Sequence, residues 1–208
     1  MQQLNKRRRT MGHHKPYDAE IEFLEGDGEA YILTNLIISD LDNDFYVEVE
    51  LSNSTFGTIY GAYNGDAERS YYFSLVEKYS ILTNGGCYND SSSKFDFKNL
   101  LSNIPTRYRV YILRDGTYSF NEHSGSILNT TSRSNTKRTL NLYCVISGNG
   151  IGRICACKIY SFKWVKGDDT ILDLIPVRIG DEGFMYNKVD GKLFGNAGTG
   201  RFILGNDV

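Results

Sequence analysis

Alternation of apolar and polar residues with a period of two runs along this chain and constrains its fold more than any other feature. Residues 44–51 alternate strictly, and the same parity recurs at 108–112 and 140–146. This pattern is typical of β-strands that bury one face. From 154 to 165 both parities carry apolar residues, which predicts a central strand. The buried positions predicted from these patterns are Val47, Val49, Val110, Leu142, Ile159 and Phe162.

Turn signals separate these runs. Dipeptides that tolerate positive φ in two-residue hairpins stand at Asn64-Gly65, Asn84-Gly85, Asp115-Gly116 and Asp190-Gly191. The one stretch with helical spacing, residues 97–104, is stopped by Pro105 and predicts a single short helix or turn. Many antiparallel strands without alternating helices favour a sandwich or a barrel.

The composition agrees with one all-β domain. The chain has 208 residues, with 15 Tyr, 21 Gly and only 3 Pro, which suits strands joined by tight turns. Its four cysteines, Cys87, Cys144, Cys155 and Cys157, show no C-x-x-C spacing, so we expect buried free thiols.

Charge is divided unevenly along the chain. Residues 1–17 contain no acid and five bases, namely Lys6, Arg7, Arg8, Arg9 and Lys15. The remainder has 18 basic and 25 acidic residues, so a segment of +5 precedes a body of −7. We therefore divide the chain into a short extended arm, 1–17, and a domain, 18–208. Such an arm can bind an acidic protein surface, a nucleic acid or its own body, or remain a solvated tail.

No stretch near the N-terminus resembles a signal-peptide core, and no run approaches the ~18 apolar residues of a membrane span. We therefore expect a protein made in the cytoplasm that does not span a membrane.

Segments at both ends resemble one protein family. Residues 158–163 read KIYSFK, 173–178 read DLIPVR, 183–186 read GFMY and 196–202 read NAGTGRF. This order resembles the ending of laminin-G-like, concanavalin A-like jelly rolls from phages, prophages and surface proteins of gut Bacteroidetes, which carries KIYSFKI, DFIPCYR, GLYD and NSGTGTF. Residues 17–25, YDAEIEFLE, and 31–34, YILT, are similar to the family's opening strands.

The resemblance implies a two-sheet antiparallel jelly-roll sandwich. It also implies a protein that works by binding a ligand, but it does not identify that ligand. Val177 and Gly180 stand where relatives often have Cys and Ser or Lys, so no disulfide or polar role is carried over to them. The glycines at 198 and 200 are expected to allow a tight return before Phe202 packs.

Two groups of carboxylates have the spacing of catalytic pairs. Some jelly-roll glycosidases carry E-x-D-x-x-E, and Glu20, Glu22 and Glu25 are similar to it. On a strand Glu20 and Glu22 would lie about 6.6 Å apart, a separation compatible with two-carboxylate hydrolysis. Their place in the opening strand, with Glu at the middle position, favours a solvated face instead. Glu48 and Glu50 are expected to face solvent.

Three other polar motifs are considered as metal-binding sites or turns. The alternating acids Asp40, Asp42 and Asp44 are considered for calcium in a loop, although an EF-hand is excluded and a polar turn is preferred. The histidines at 13, 14 and 123 are too few for a zinc site. Residues 148–152, GNGIG, are expected to form a turn between two strands. We predict no metal and no cofactor.

Sugar binding needs exposed aromatic faces together with hydrogen-bonding side chains. The middle of the chain offers a set of both kinds, which is the predicted ligand-binding site: Tyr60, Tyr63, Asn64, Asp66, Arg69, Tyr71, Tyr72, Tyr88 and Asn89.

The sequence thus predicts a non-enzymatic structural and adhesion protein of a phage or prophage particle, such as a head or tail fibre or decoration protein. Its partners would be other virion proteins, reached through the arm, and host-surface glycans, and its assembly a homo-oligomer such as a trimer. The alternatives are a stand-alone lectin module, which would place it on a bacterial cell surface, and a jelly-roll glycosidase.

Overall fold

A computed structural model of the chain describes residues 15–38, 42–51, 57–62, 71–77, 80–84, 94–96, 107–115, 117–121, 123–126, 138–147 and 150–208. Every regular element in these ranges is a β-strand, and every ladder between strands is antiparallel. The predicted short helix at 97–104 lies outside the described residues.

In the part of the chain that the structure describes, eleven strands form the larger sheet. They are β1 (Ala19–Glu20), β2 (Leu24–Gly26), β4 (Asn43–Leu51), β9 (Arg107–Ile112), β10 (Thr117–Phe120), β11 (His123–Ser126), β15 (Cys157–Lys166), β16 (Asp169–Ile179), β17 (Glu182–Asn187), β18 (Leu193–Phe194) and β19 (Phe202–Leu204). The main path of this sheet is β11-β10-β9-β4-β15-β16-β17-β18, with β1 on β16, β2 on β15 and β19 on β2.

Six strands form the second sheet, in the order β3-β12-β5-β6-β7-β8, and a two-stranded hairpin completes the described fold. The second sheet contains β3 (Ile32–Ile38), β5 (Gly57–Ala62), β6 (Tyr71–Glu77), β7 (Ser80–Asn84), β8 (Lys94–Asp96) and β12 (Arg138–Leu142). The hairpin pairs β13 (Val145–Ser147) with β14 (Gly150–Gly152), so the last three residues of GNGIG form a strand and not the predicted turn. Residues 148 and 149 lie outside the described residues.

Aromatic side chains join the two sheets into a sandwich. Phe45 on β4 lies 5.2 Å from Tyr60 on β5, and Tyr60 meets Phe162 on β15 edge-on at 5.3 Å between ring centroids. All six positions predicted to be buried are buried in this core. The β15 strand lies between β4 and β16, which confirms its predicted central place. The prediction of an all-β fold of packed antiparallel sheets is confirmed.

Glycines and Asx residues turn the chain where hairpins were expected. Gly191 follows β17 with φ of 78°, and its N–H donates to the carbonyl of Asn187. Asp115 caps the β9–β10 hairpin by accepting from the N–H of Thr117 at 2.7 Å. The Asn64-Gly65 signal, Gly85 and Gly116 lie outside the described residues.

The predicted strand at 140–146 is interrupted. Tyr143 has φ of 64°, a left-handed conformation that a bulky residue adopts only when its surroundings demand it. Its side chain is fully buried, and its hydroxyl donates to the carbonyl of Leu24 at 2.6 Å. The left-handed conformation at Tyr143 thus allows a hydrogen bond between the end of β12 in the second sheet and β2 in the larger sheet. Cys144, Cys155 and Cys157 are buried free thiols, as predicted, and Cys87 lies outside the described residues.

The NAGTGRF segment closes the fold through side chain to backbone hydrogen bonds. Asn196 accepts from the N–H groups of Tyr31 and Gly198. Asp27 accepts from the N–H groups of Glu29, Ala30 and Arg201.

Two glycines allow this close approach. A Cβ on Gly198 would lie 2.0 Å from the carbonyl oxygen of Glu29, and one on Gly200 would meet the Asp27 carboxylate at 2.2 Å. Phe202 then packs on Tyr143 with 5.1 Å between ring centroids. This agrees with the prediction that Gly198 and Gly200 allow the chain to turn tightly before Phe202 packs.

Candidate functional site

The outer face of the larger sheet carries a cluster of tyrosines and charged side chains. On β4 and β9 every second side chain is buried in the core, and the side chains between them point to the opposite face of the sheet. The residues on that face are Tyr46, Glu48, Arg107, Arg109 and Tyr111. The register sets them in rows across the strands. Tyr46 stands beside Tyr111 on one side and Lys163 of β15 on the other, and Glu48 stands between Arg109 and Ser161. We call this surface the outer face.

A β-bulge on β15 adds a tyrosine to the outer face. Ile159 pairs with Val49 and Ser161 pairs with Glu48, so Tyr160 is the extra residue. Its hydroxyl donates to Glu50 at 2.9 Å, and the guanidinium of Arg107 lies 3.7 Å from its ring centroid. Lys158 completes the row with a 2.6 Å ion pair to Glu50.

Glu48 organises the two arginines of β9. The Nε groups of Arg107 and Arg109 both donate to Oε1 of Glu48, at 2.9 and 3.1 Å. Burial acts to raise the pKa of Glu48, but the hydrogen bonds and positive charge of the two arginines outweigh it and hold the pKa below its ordinary value. Glu48 is therefore ionised at neutral pH.

A cleft of about 470 Å³ opens beside the tyrosine pair. Tyr46 and Tyr111 lie 5.3 Å apart between ring centroids, and Tyr111 is 37% exposed. Burial, and then the charge of Asp44, raise the pKa of Tyr46, so its hydroxyl is a neutral donor. Lys163 lines the same cleft, whose far end carries the ion pair of Lys188 with Asp173 at 3.0 Å.

A second cleft, of about 570 Å³, adjoins the first and shares Glu48, Arg109 and Tyr111 with it. It is also lined by Arg107 and Asn121. Aromatic edges beside guanidinium, ammonium and carboxylate groups can stack on an apolar ring face and hydrogen-bond to hydroxyls. The outer face therefore has the chemistry of a saccharide site, formed from residues other than those predicted.

Only three of the predicted ligand-binding residues, Tyr60, Tyr71 and Tyr72, are among the residues that the structure describes. Tyr60 is 2% exposed and packs between Phe45, Phe73 and Phe162, so it has no face to offer a ligand and its place in the predicted site is wrong. The backbone of Tyr71 and Tyr72 lies in β6, opposite Ala62 and Gly61. The remaining members lie outside the described residues: Tyr63, Asn64, Asp66, Arg69, Tyr88 and Asn89.

The predicted arm meets the domain at Tyr17. Lys15 forms a 2.6 Å ion pair with Glu20, and Tyr17 is buried, with its ring 4.9 Å from that of Tyr186. The folded domain therefore includes Tyr17, which the predicted boundary assigned to the arm. Lys6, Arg7, Arg8 and Arg9 lie outside the described residues, as do His13 and His14.

The carboxylates of the E-x-E-x-x-E stretch have separate partners. Glu20 accepts from Lys15 and from the hydroxyl of Tyr17, and these hydrogen bonds lower its pKa. Glu22 accepts from the side-chain amide of Asn206 at 3.2 Å. A glycosidase needs a general acid whose pKa is raised, so the environment of Glu20 does not favour that role.

Arginine occupies the place considered for calcium. Arg114 donates to Asp42 from Nη1 and to Asp44 from Nη2, both at 2.7 Å, and also donates to the carbonyl of Gly167. Among the described residues no cluster of three or more His, Cys, Asp or Glu side chains has metal-binding geometry. Asp40 lies outside the described residues.

The alternation within single strands does not indicate the outer face, because the cluster depends on how the strands pair. Residues 48 and 50 were predicted to face solvent, and both are instead largely covered by the cations of β9 and β15. The polar parity of β9, which reads Arg107, Arg109 and Tyr111, carried the signal. These side chains form a site only when β9 pairs with β4, which brings them beside Tyr46 and Glu48.

No protein-family model matches the chain, and no curated protein matches it. In the part of the chain that the structure describes, no helix has the length and apolar character needed to cross a membrane.

Proposed function

We propose that this chain is a non-enzymatic adhesion protein whose sandwich, a jelly roll of the laminin-G-like and concanavalin A-like kind, binds glycans through the outer face. The tyrosine pair of Tyr46 and Tyr111 beside the 470 Å³ cleft carries the proposal. Glycan recognition combines such aromatic surfaces with fixed polar groups, and Lys163 and Arg109, the latter held by Glu48, supply these.

Rigidity of the site supports this function. Glu48 is tied to two arginines, and Glu50 to Lys158 and Tyr160, so the polar side chains are held in place before a ligand arrives. Preorganised side chains lose less conformational entropy on binding, which favours affinity for flexible saccharides.

An oligosaccharide array tests the proposal. We expect the full chain to bind a subset of printed glycans and Tyr111→Ala to lose most of that binding, because the substitution removes an exposed stacking ring. Ile179→Ala is the matched control, since Ile179 is 38% exposed and Tyr111 37%. Both variants should melt as the unaltered chain does. Absence of binding to every glycan, or equal loss in the two variants, would overturn the proposal.

We further propose that the protein belongs to a phage or prophage particle, as a fibre or decoration protein, and assembles as a homo-oligomer such as a trimer. The charge division supports this setting, because residues 1–17 carry +5 and the rest of the chain −7. A basic segment on an acidic body is suited to anchoring the domain to another virion protein with an acidic surface.

Measuring incorporation into phage particles tests the proposal that the basic segment anchors the protein there. A chain without residues 1–14 should fold and keep glycan binding but fail to enter particles. Attachment of the full chain should weaken with salt, since the screening length falls from about 10 Å at 0.1 M to about 3 Å at 1 M. Normal incorporation of the shortened chain would contradict the anchor and leave a stand-alone lectin as the better description.

A further inference from the structure

Arg107 and Arg109 are held by one nitrogen each, which leaves their terminal nitrogens available. Both use Nε to reach the same carboxylate oxygen of Glu48. Neither guanidinium has a hydrogen bond from Nη1 or Nη2 to another described residue. The side chains of Arg107 and Arg109 are 50% and 68% exposed, so these donors are open to the adjoining cleft.

Further contacts restrain the two arginines. The guanidinium of Arg107 lies over the ring of Tyr160, 3.7 Å from its centroid, while the backbone N–H of Arg109 donates to the side-chain oxygen of Asn121 at 2.8 Å and so fixes the backbone from which the Arg109 side chain extends. A stacked, Nε-bound guanidinium presents its outer edge in a set direction. Planar pairs of N–H donors of this kind match the two oxygens of a carboxylate, phosphate or sulfate.

Charge around this pair is positive. Two arginines share the single carboxylate of Glu48, whereas Glu50 is neutralised by Lys158 and Asp173 by Lys188. On the other side of the tyrosine pair, Lys163 has no ion-pair partner among the described residues. The two clefts therefore have cations on both sides of Tyr46 and Tyr111, while the further carboxylates of the outer face, Glu22 and Glu25, lie beside Lys158.

We infer that the outer face binds acidic saccharides, with the terminal nitrogens of Arg107 and Arg109 receiving an oxyanion of the sugar. The tyrosine pair contacts the sugar ring, and Lys163 receives a second anionic group along the chain. Glu48 is a positioning residue, because it holds the arginines without touching the ligand. This inference rests on the proposed glycan-binding function and names its ligand class.

The test uses the full-length chain on an array with three matched sets of oligosaccharides: neutral, carboxylate-bearing and sulfate-bearing. Each carboxylate-bearing glycan is also printed as its methyl ester, which keeps the ring and removes the charge. We expect binding among the acidic sets and its loss on esterification. The carboxylate and sulfate sets together show which oxyanion the site prefers.

Arginine-to-lysine variants test the site itself, because lysine keeps the charge and loses the planar fork. The double variant Arg107→Lys with Arg109→Lys should weaken binding to the best acidic glycan roughly tenfold or more. Arg201→Lys, an exposed arginine in the loop before β19, is the control and should bind as the unaltered chain does. Titration calorimetry measures affinity, and thermal unfolding shows that each variant is folded.

The outcomes separate the two proposals. Binding confined to neutral glycans, or acidic binding that survives both arginine substitutions, overturns the inference while glycan recognition stands. Loss in Arg201→Lys equal to that in the double variant overturns it too, since the loss would then not be specific to Arg107 and Arg109. No binding to any set removes the proposed function and this inference together.

Discussion

Arg114 and Asp44 form a bidentate ion pair that joins the start of β4 to the β9–β10 hairpin. Nη2 of Arg114 lies 2.7 Å from Oδ2 of Asp44, Nε lies 3.2 Å from Oδ1, and the backbone N–H of Arg114 donates to Oδ1 at 2.7 Å. The same guanidinium reaches the carbonyl of Gly167 in the β15–β16 turn. One side chain thus fastens three segments of the larger sheet.

Removing the charge of Asp44 should therefore cost stability. Asp44→Asn is expected to lower the free energy of unfolding by about 2 kcal/mol, since hydrogen bonds to charged groups contribute in that range. Asp42→Asn is the matched control, because the Asp42 side chain is 54% exposed against 10% for Asp44. Its effect should stay below about 1 kcal/mol. Urea unfolding measures both, and equal losses would contradict the assigned roles.

Calcium should leave the melting temperature unchanged. The guanidinium of Arg114 is already ion-paired with both Asp42 and Asp44, so a calcium ion that bound these carboxylates would have to displace it. A ligand that binds only the folded state raises the melting temperature with concentration. Thermal unfolding with calcium and with a chelator measures this. A calcium-dependent rise that disappears in Asp42→Asn would show that the acids do bind the ion.

Gly57→Ala should destabilise the sandwich by about 1–3 kcal/mol, the usual cost of overpacking a core. A Cβ at residue 57 would lie 2.6 Å from the Cα of Cys155, which is backbone and has no room to move. Gly152→Ala is the control, because no atom lies within 4 Å of its added Cβ. Denaturant unfolding of the two variants should differ clearly, and similar midpoints would refute the close contact.

Acid should weaken the outer face. The arginines lower the pKa of Glu48 against the effect of burial, and the hydrogen bond from Lys158 is the largest cause that lowers the pKa of Glu50. Folded-state pKa values below the unfolded ones mean that the stabilisation is present above the ordinary value of 4.5 and is lost as pH falls below it.

The double variant Glu48→Gln with Glu50→Gln tests this pH dependence. Its free energy of unfolding should fall less than that of the unaltered chain when pH drops from neutral to below 4. Parallel pH profiles for the two proteins would show that these carboxylates do not contribute.

Parity within strands could be predicted from the sequence, because a buried face imposes a period of two. Val47, Val110 and Phe162 are buried for that reason. The period of two did not indicate that Tyr60 is buried. Every residue of β5 is buried, so the strand has no polar parity, and a tyrosine in such a sequence is easily taken for a surface residue. Its place depends on Phe45 and Phe162 from the opposite sheet.

The candidate site depends on register, which single strands do not encode. Glu48 meets Arg107 and Arg109 only because β4 pairs with β9. Tyr160 joins the outer face through a bulge, which shifts the buried parity between Ile159 and Phe162 and so makes the strand look apolar on both faces in the sequence. Likewise, the acids at 42 and 44 resemble a calcium loop until Arg114, about 70 residues later, is brought against them.

The last prediction concerns where the folded domain begins. The ring of Tyr17 packs on Tyr186, its hydroxyl donates to Glu20 at 2.8 Å, and the ammonium of Lys15 lies over it at 5.3 Å. The N–H of Asp18 then donates to the carbonyl of Arg178, which places the following residues in the ladder with β16. The chain is thus tied to the sandwich from Tyr17 onward.

Two truncations should consequently behave differently. A chain of residues 15–208 is expected to melt as the full chain does, whereas a chain of residues 18–208 should lose about 2 kcal/mol, the value of burying one large side chain. Tyr17→Ala in the full chain should reproduce the second result and leave the basic residues intact. Thermal and urea unfolding of the four proteins measure this. If the 15–208 chain is as unstable as the 18–208 chain, residues 1–14 contribute to the fold, and their proposed role as a separate anchor fails.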